Sequence, residues 1–158
     1  MLPFDDKIRQ IIKMYSYPMW VILRNQDVLC TCLDPTTHQP DPSCMKCLGT
    51  GRQITIKRIK AARQPFKIAE TGTGIARNEY IYNSNYYTLG DIHAHERDIF
   101  VDNGHADVIQ DPQENRSDHT DPVYYHYIAA PKKDNLAIFL DHFNQVIEVA
   151  HKNKAGDP

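Results

Sequence analysis

The chain has 158 residues and a mass of 18.2 kDa, which suits a single domain with room for one small excursion. Its formal net charge of -2 argues against a protein built mainly to coat nucleic acid. The best apolar run, Met19 to Leu23, has Arg24 directly behind it, whereas a membrane span needs about 20 apolar residues; no membrane segment and no secretory leader is expected.

The chain opens as a helix. Asp5 and Asp6 occupy its first turn, and Phe4, Ile8, Ile11, Ile12 and Tyr15 recur at helical spacing. It is expected to stop before Pro18, because a proline pushes the preceding residue toward extended backbone. Met19 to Arg24 then reads as a short buried strand. Asp27 to Gly51 differs in kind: it holds all four cysteines, Pro35, Pro40, Pro42 and two close glycines, with few residues able to fill a core. Such a stretch needs a crosslink to be ordered at all.

From Arg52 the apolar period changes to two. Ile54 and Ile56, Phe66 and Ile68, Tyr80 and Tyr82, and Ile99 and Val101 alternate with polar neighbours, with turn residues at Thr71 to Gly74 and Asp102 to Gly104. Short alternating runs separated by turns predict an antiparallel barrel or sandwich. Gln110 to Pro122 is polar and aperiodic and reads as an exposed loop, and Val123 to Ala129 as a further strand. Asn135 to His151 places Leu136, Phe139, Leu140, Phe143, Val146, Ile147 and Ala150 on one helical stripe, with Asp134 as its cap. The same residues also fit a hairpin turning at Asp141 to Asn144. The expected fold class is therefore mainly β (α+β): one small antiparallel β-barrel or sandwich over residues 1–158, with N- and C-terminal helices and an inserted zinc-binding loop at residues 27–51.

The cysteines are spaced Cys30-x-Cys32, eleven residues, then Cys44-x-x-Cys47. In a reducing cytoplasm clustered cysteines read as metal ligands before disulfides. A tetrahedral zinc takes four thiolates, and two ligand pairs from separate turns close the shell. The two residues inside Cys44-x-x-Cys47 let both sulfurs point at one ion, and Gly49 and Gly51 follow where the chain must bend sharply. Cys30 and Cys32 lie two apart, on one side of an extended chain. His38 is an alternative fourth ligand. A redox pair at Cys44 and Cys47 fits less well, since such motifs open a helix and the glycines oppose one. A closed thiolate shell leaves no position for water, so a structural zinc, not a catalytic one, is expected.

Charge is distributed unevenly. Arg52 to Lys67 carries Arg52, Lys57, Arg58, Lys60, Arg63 and Lys67 with no acid, while Asp91 to Asp121 carries nine acids against Arg97 and Arg116. Two solvated faces account for this, as does a head-to-tail contact between copies, or a basic strand facing DNA. Seven of the nine tyrosines fall between Tyr80 and Tyr87 or between Tyr124 and Tyr127, where packing or interface roles are favoured over base stacking. His93, His95 and His105 with Asp91, Glu96 and Asp98 allow a second metal site or read as polar surface. No nucleophile elbow, phosphate loop or HExxH motif is present, and no enzyme is expected.

Cys44-Met45-Lys46-Cys47-Leu48-Gly49-Thr50-Gly51 resembles one copy of the CxxCxGxG element of J-domain chaperones. Those carry four copies, and nothing else here resembles them, so the likeness implies a zinc turn alone. With Trp20 to Arg24 before it and the basic, isoleucine-rich Arg52 to Pro65 after it, the arrangement from Pro42 to Gly51 is similar to head–tail connector, head-completion or neck proteins of tailed bacteriophages. That resemblance covers roughly the first half of the chain. It implies a compact β-barrel made in the host bacterial cytoplasm and assembled as a homo-oligomeric ring in the virion neck. Its partners would be portal and tail proteins, with non-specific contact to DNA in the channel. The alternative reading is a zinc-ribbon nucleic-acid-binding module using residues 52–67.

Overall fold

The structure, a computed structural model, describes residues 3–69, 80–90, 92–116 and 122–155. The elements run in the order α1 (Phe4–Tyr15), β1 (Tyr17–Leu29), β2 (Arg52–Ala69), β3 (Tyr80–Thr88), β4 (Ile99–Asp102), β5 (His105–Arg116), β6 (Pro122–Pro131) and α2 (Leu136–Ala155). The six strands close an antiparallel barrel in the order β1-β2-β3-β6-β5-β4, so the fold is mainly β with a helix at each end. β4 completes the circle against β1, with Trp20, Val21 and Ile22 facing Val101, Phe100 and Ile99. Closure removes the free strand edges that an open sheet would expose.

The interior is aromatic. Phe100 on β4 stacks on Tyr86 of β3 with ring centroids 4.1 Å apart and meets Tyr127 of β6 at 5.6 Å. β3 and β4 are not neighbours in the barrel, so the stack crosses its interior. Met19, Val21, Ile22, Ile59, Ala61, Ile109 and Ala129 are buried as well. Among the described residues two carboxylates, Asp98 and Asp107, are buried. Asp107 is 2% exposed; the Tyr86 hydroxyl donates to its carboxylate, and Arg63 Nε stands 3.4 Å from the same oxygen. Arg63 also donates to Ser84 Oγ at 3.1 Å, so the buried carboxylate is both hydrogen-bonded and charge-paired.

Two elements differ from expectation. Gln110 to Pro122 is not wholly a loop: residues through Arg116 continue β5 and pair with β6 from Asp111↔Ile128 to Arg116↔Pro122, past a register shift between Ile109 and Asp111. Its side chains are mostly exposed and polar on both faces, so backbone pairing holds it without leaving an alternating pattern. β1 extends beyond Arg24 to Leu29, and its last five side chains are all exposed. The C-terminal stripe forms the expected helix, Leu136–Ala155, and not the alternative hairpin; Asp134 lies two residues before it, with Asn135 at a φ of 53°. The turn at Asp102 to Gly104 is present, its tight bend made by Asn103 and Gly104 at φ of 42° and 84°. The turn expected at Thr71 to Gly74 lies outside the described residues.

Packing divides the chain into two compact units. One holds Met1–Ile22 and Lys57–Pro131; the other holds Leu23–Ile56 and Lys132–Pro158. The second unit contains the distal parts of β1 and β2, the cysteine-bearing segment that joins them, and α2. Its fully buried apolar side chains among the described residues are Cys47, Leu48, Phe139 and Phe143. A core that thin cannot order the unit by apolar burial alone.

Candidate metal centre

Cys30 stands one residue past the end of β1, and Arg52 begins β2 one residue past Gly51; the base of the loop is closed by the Cys30 N–H donating to Gly51 O at 3.0 Å. Inside the loop, Asp34 and Asp41 act as turn anchors. The Asp34 carboxylate accepts from the N–H groups of Thr36 and Thr37 at 2.7 and 2.8 Å, and Asp41 accepts from the N–H and hydroxyl of Ser43 at 2.9 and 2.7 Å. The bonds hold both carboxylates below the usual range, the Thr37 N–H dominating at Asp34 and the Ser43 hydroxyl at Asp41. These local bonds fold the chain back so that Cys44 and Cys47 come up against Cys30 and Cys32.

The four sulfurs lie within 4.8 Å of one another. Cys30 Sγ is 3.8 Å from Cys44 Sγ, and Cys32 Sγ is 3.5 Å from Cys47 Sγ, so the two ligand pairs interleave. A disulfide requires about 2.05 Å, which these distances exclude. Tetrahedral coordination with metal–sulfur bonds of about 2.3 Å has sulfur–sulfur edges of about 3.8 Å, and the cluster matches that size. The residues present therefore fit a four-thiolate metal site. His38 is not part of the group, and among the described residues no comparable group forms elsewhere.

The backbone prepares the sulfurs for negative charge. Burial opposes the Cys44 thiolate, but the N–H groups of Cys47 and Lys46 and the neighbouring thiols outweigh it and bring Cys44 down to about 7. Cys47 is fully buried, and that burial pushes its thiol up to about 12 despite the Gly51 N–H directed at it. Cys32 is likewise raised, by burial first, against a helping N–H from Asp41. The Cys44 thiolate forms readily, whereas those of Cys32 and Cys47 need a cation beside them. Gly49 and Gly51 both sit at φ of 75°, and a Cβ on Gly51 would lie 3.2 Å from both Leu33 and Pro40. Leu48 adopts a φ of 51° without being glycine, a cost accepted where the chain wraps the site.

The other expected constellations resolve differently. His93 and His95 stack at 5.1 Å and stay exposed, with His93 Nε2 3.8 Å from Glu114 and His95 Nδ1 4.0 Å from Asp98. His105 sits at the β4–β5 turn. Tyr86 and Tyr127 are core residues and Tyr87, Tyr124 and Tyr125 are half-buried, the packing role. The acidic stretch is largely absorbed within its own unit. Asp98 and Asp107 are buried, Asp102 accepts from Tyr17 at 2.5 Å, and Glu114 pairs with Arg116 at 2.7 Å. Asp91, Asp118 and Asp121 lie outside the described residues. Sequence reading missed the Tyr86–Asp107–Arg63 cluster, because its members come from three strands and carry no spacing signal.

Compared with known protein families and with curated proteins, the sequence matches none. No helix among the described residues is long and apolar enough to cross a membrane.

Proposed function

We propose that this chain is a non-enzymatic assembly protein whose cysteine loop is held by one structural zinc ion at Cys30, Cys32, Cys44 and Cys47. The observation that carries the reading is the interleaved four-sulfur cluster, set in a unit with almost no other core. Zinc is the metal that the donor set favours: four thiolates in a tetrahedron suit a soft, redox-inert d10 ion and leave no open position for a substrate. Its role is to fix the loop in one shape, so that a partner meets a pre-ordered surface and the ordering cost of binding is low.

The assembly role finds its support in α1. Phe4 and Met14 are 76% and 74% exposed, and Ile11 and Tyr15 are also open to solvent, beside a groove of about 520 Å³ lined by Ile8, Ile12, Tyr87 and Tyr124. Contiguous apolar surface of this kind marks a contact site, and on this reading it meets a second copy in a homo-oligomeric ring. Together with the likeness of the cysteine element and its flanks to phage neck proteins, these features make the virion neck, between portal and tail, the proposed location. An electron-microscopy map of particles assembled with the chain is expected to show it as a ring between capsid and tail; a map placing it elsewhere overturns the reading. Metal analysis tests the zinc separately. One zinc per chain is expected, and an iron-coloured or metal-free native protein would refute it.

A further inference from the structure

Ile92 to Asp98, the segment that leads into β4, alternates in burial although it belongs to no strand. Ile92 and Ala94 are buried, whereas His93 and His95 are open to solvent. Residues two apart on an extended chain point the same way, so the two imidazoles share the outer side. Their rings stack at 5.1 Å with 12° between the planes. The backbone beneath them is pinned. The Ala94 N–H donates to the Tyr127 hydroxyl at 3.4 Å, the His95 N–H to the Asp98 carboxylate at 2.8 Å, and the Asp98 N–H to His95 O at 3.2 Å. The Arg97 N–H donates to Ile109 O at 2.7 Å and the Ile109 N–H to Asp98 O at 2.8 Å, which fastens the segment to β5.

β5 brings a carboxylate to the same place. Glu114 stands opposite Tyr125 of β6 in the sheet, so the two side chains share a face. His93 lies against both, its ring 5.6 Å from that of Tyr125 and its Nε2 3.8 Å from Glu114 Oε1. The other Glu114 oxygen, Oε2, accepts from Arg116 at 2.7 Å, which holds the carboxylate with Oε1 toward the imidazole. On His95, the buried Asp98 carboxylate lies 4.0 Å from Nδ1. A carboxylate on that side favours the tautomer protonated at Nδ1 and leaves the Nε2 lone pair to an outside partner. Burial does not account for the pair, since the two histidine side chains are 62% and 57% exposed.

We propose that His93, His95 and Glu114 form a second metal site, which takes a zinc ion through the two Nε2 atoms and Glu114 Oε1. Two imidazoles and one carboxylate suit zinc and leave a fourth position to water or to a donor from outside the chain. Tetrahedral coordination with bonds of about 2.1 Å has donor–donor edges of about 3.4 Å. The 3.8 Å between His93 Nε2 and Glu114 Oε1 is already near that length. His95 completes the set by turning its exposed ring, while the pinned backbone stays in place. Three exposed donors hold an ion less firmly than four thiolates do. This ion therefore exchanges and is lost on gel filtration, and the purified chain keeps only the zinc at the cysteines. All three donors belong to the barrel unit, so the site stands apart from the cysteine cluster and does not depend on the reading of it.

The test is a titration of the full chain, as it leaves gel filtration, with zinc chloride, followed by calorimetry and by the NMR signals of the histidine rings. The expected result is one saturable binding event in which the His93 and His95 rings shift while those of His105 and His151 do not. A His93→Asn, His95→Asn double variant loses the event, and Glu114→Gln weakens it. His105→Asn, altered at the β4–β5 turn, keeps it in full. Should the double variant fail to fold, His95→Gln alone serves instead, with the event likewise lost. Zinc retained at the cysteines is read by metal analysis of the same samples, so failure of either site is seen separately from failure of the other. No saturable event, an event that survives the double variant, equal loss in His105→Asn, or an affinity unchanged in Glu114→Gln overturns the inference.

Discussion

At the residue scale, the two halves of the cysteine set do different work. The Cys44 thiol is brought down to about 7 and Cys47 is the most deeply buried, so the C-x-x-C turn supplies both a ready thiolate and the anchor to the core of its unit. Replacing either by serine is expected to release the metal and to make residues 27–51 protease-sensitive, as limited proteolysis with mass spectrometry would read. Resistance of that loop without metal would contradict the structural role. Gly51→Ala keeps all four ligands but forces a side chain into φ of 75° against Leu33 and Pro40. It should weaken metal retention by about 1–2 kcal/mol, measured by competition with a chelator of known affinity. Tyr86 gives a separate test in the barrel. Burial and the Asp107 carboxylate hold its hydroxyl well above the usual tyrosine range, so folding favours the protonated form. Stability is then full below the unfolded pKa of about 10 and falls above it, by up to about 1.4 kcal/mol per pH unit. Denaturant midpoints between pH 9 and 11 should show this fall, and Tyr86→Phe should reduce it.

At the element scale, α2 is the part that most changes how the cysteine loop is understood. It belongs to the same compact unit, and His142 lies close enough to Asp41 to favour that carboxylate's charged form. Phe139 and Phe143, with rings 6.4 Å apart, are its buried pair, and the Lys132 ammonium lies 5.4 Å from the Phe139 ring. Phe143→Ala is expected to cost about 3–5 kcal/mol in this thin core. It should lower metal affinity with no cysteine touched, a coupling that isothermal titration would measure. The stripe in the sequence identified this helix, since Phe139 and Phe143 fall four apart, but a stripe cannot name what it packs on. β5 is the converse case. Gln110 to Arg116 is held by backbone pairing with β6, with a bulge at Gln110 and polar side chains on both faces, and periodicity had nothing to register.

At the scale of the whole chain, the two units rest on different physics. The barrel unit has crossed aromatic rings, a closed hydrogen-bonded sheet and a paired internal carboxylate. The other has few buried apolar side chains and one cluster of sulfurs. Removing the metal with a strong chelator is therefore expected to unfold Leu23–Ile56 and Lys132–Pro158 while the barrel stays folded. Hydrogen exchange would show this as lost protection in the two segments alone; loss of protection in β3 to β6 as well would mean that the units are not separable.

The sequence by itself determined which four cysteines form the cluster, that their segment is short of core residues, and the β-rich class, because each is a local signal: thiol spacing, composition, and alternation between turns. It also placed both helices from their apolar stripes. Tertiary structure alone decided that the two cysteine pairs interleave, that α2 shares a unit with the cysteine loop, and that Arg63 reaches Asp107 and Tyr86 across strands. It likewise brought Glu114 beside His93. Each of those depends on which distant segments the barrel closure brings together, and strand order leaves no mark in local spacing.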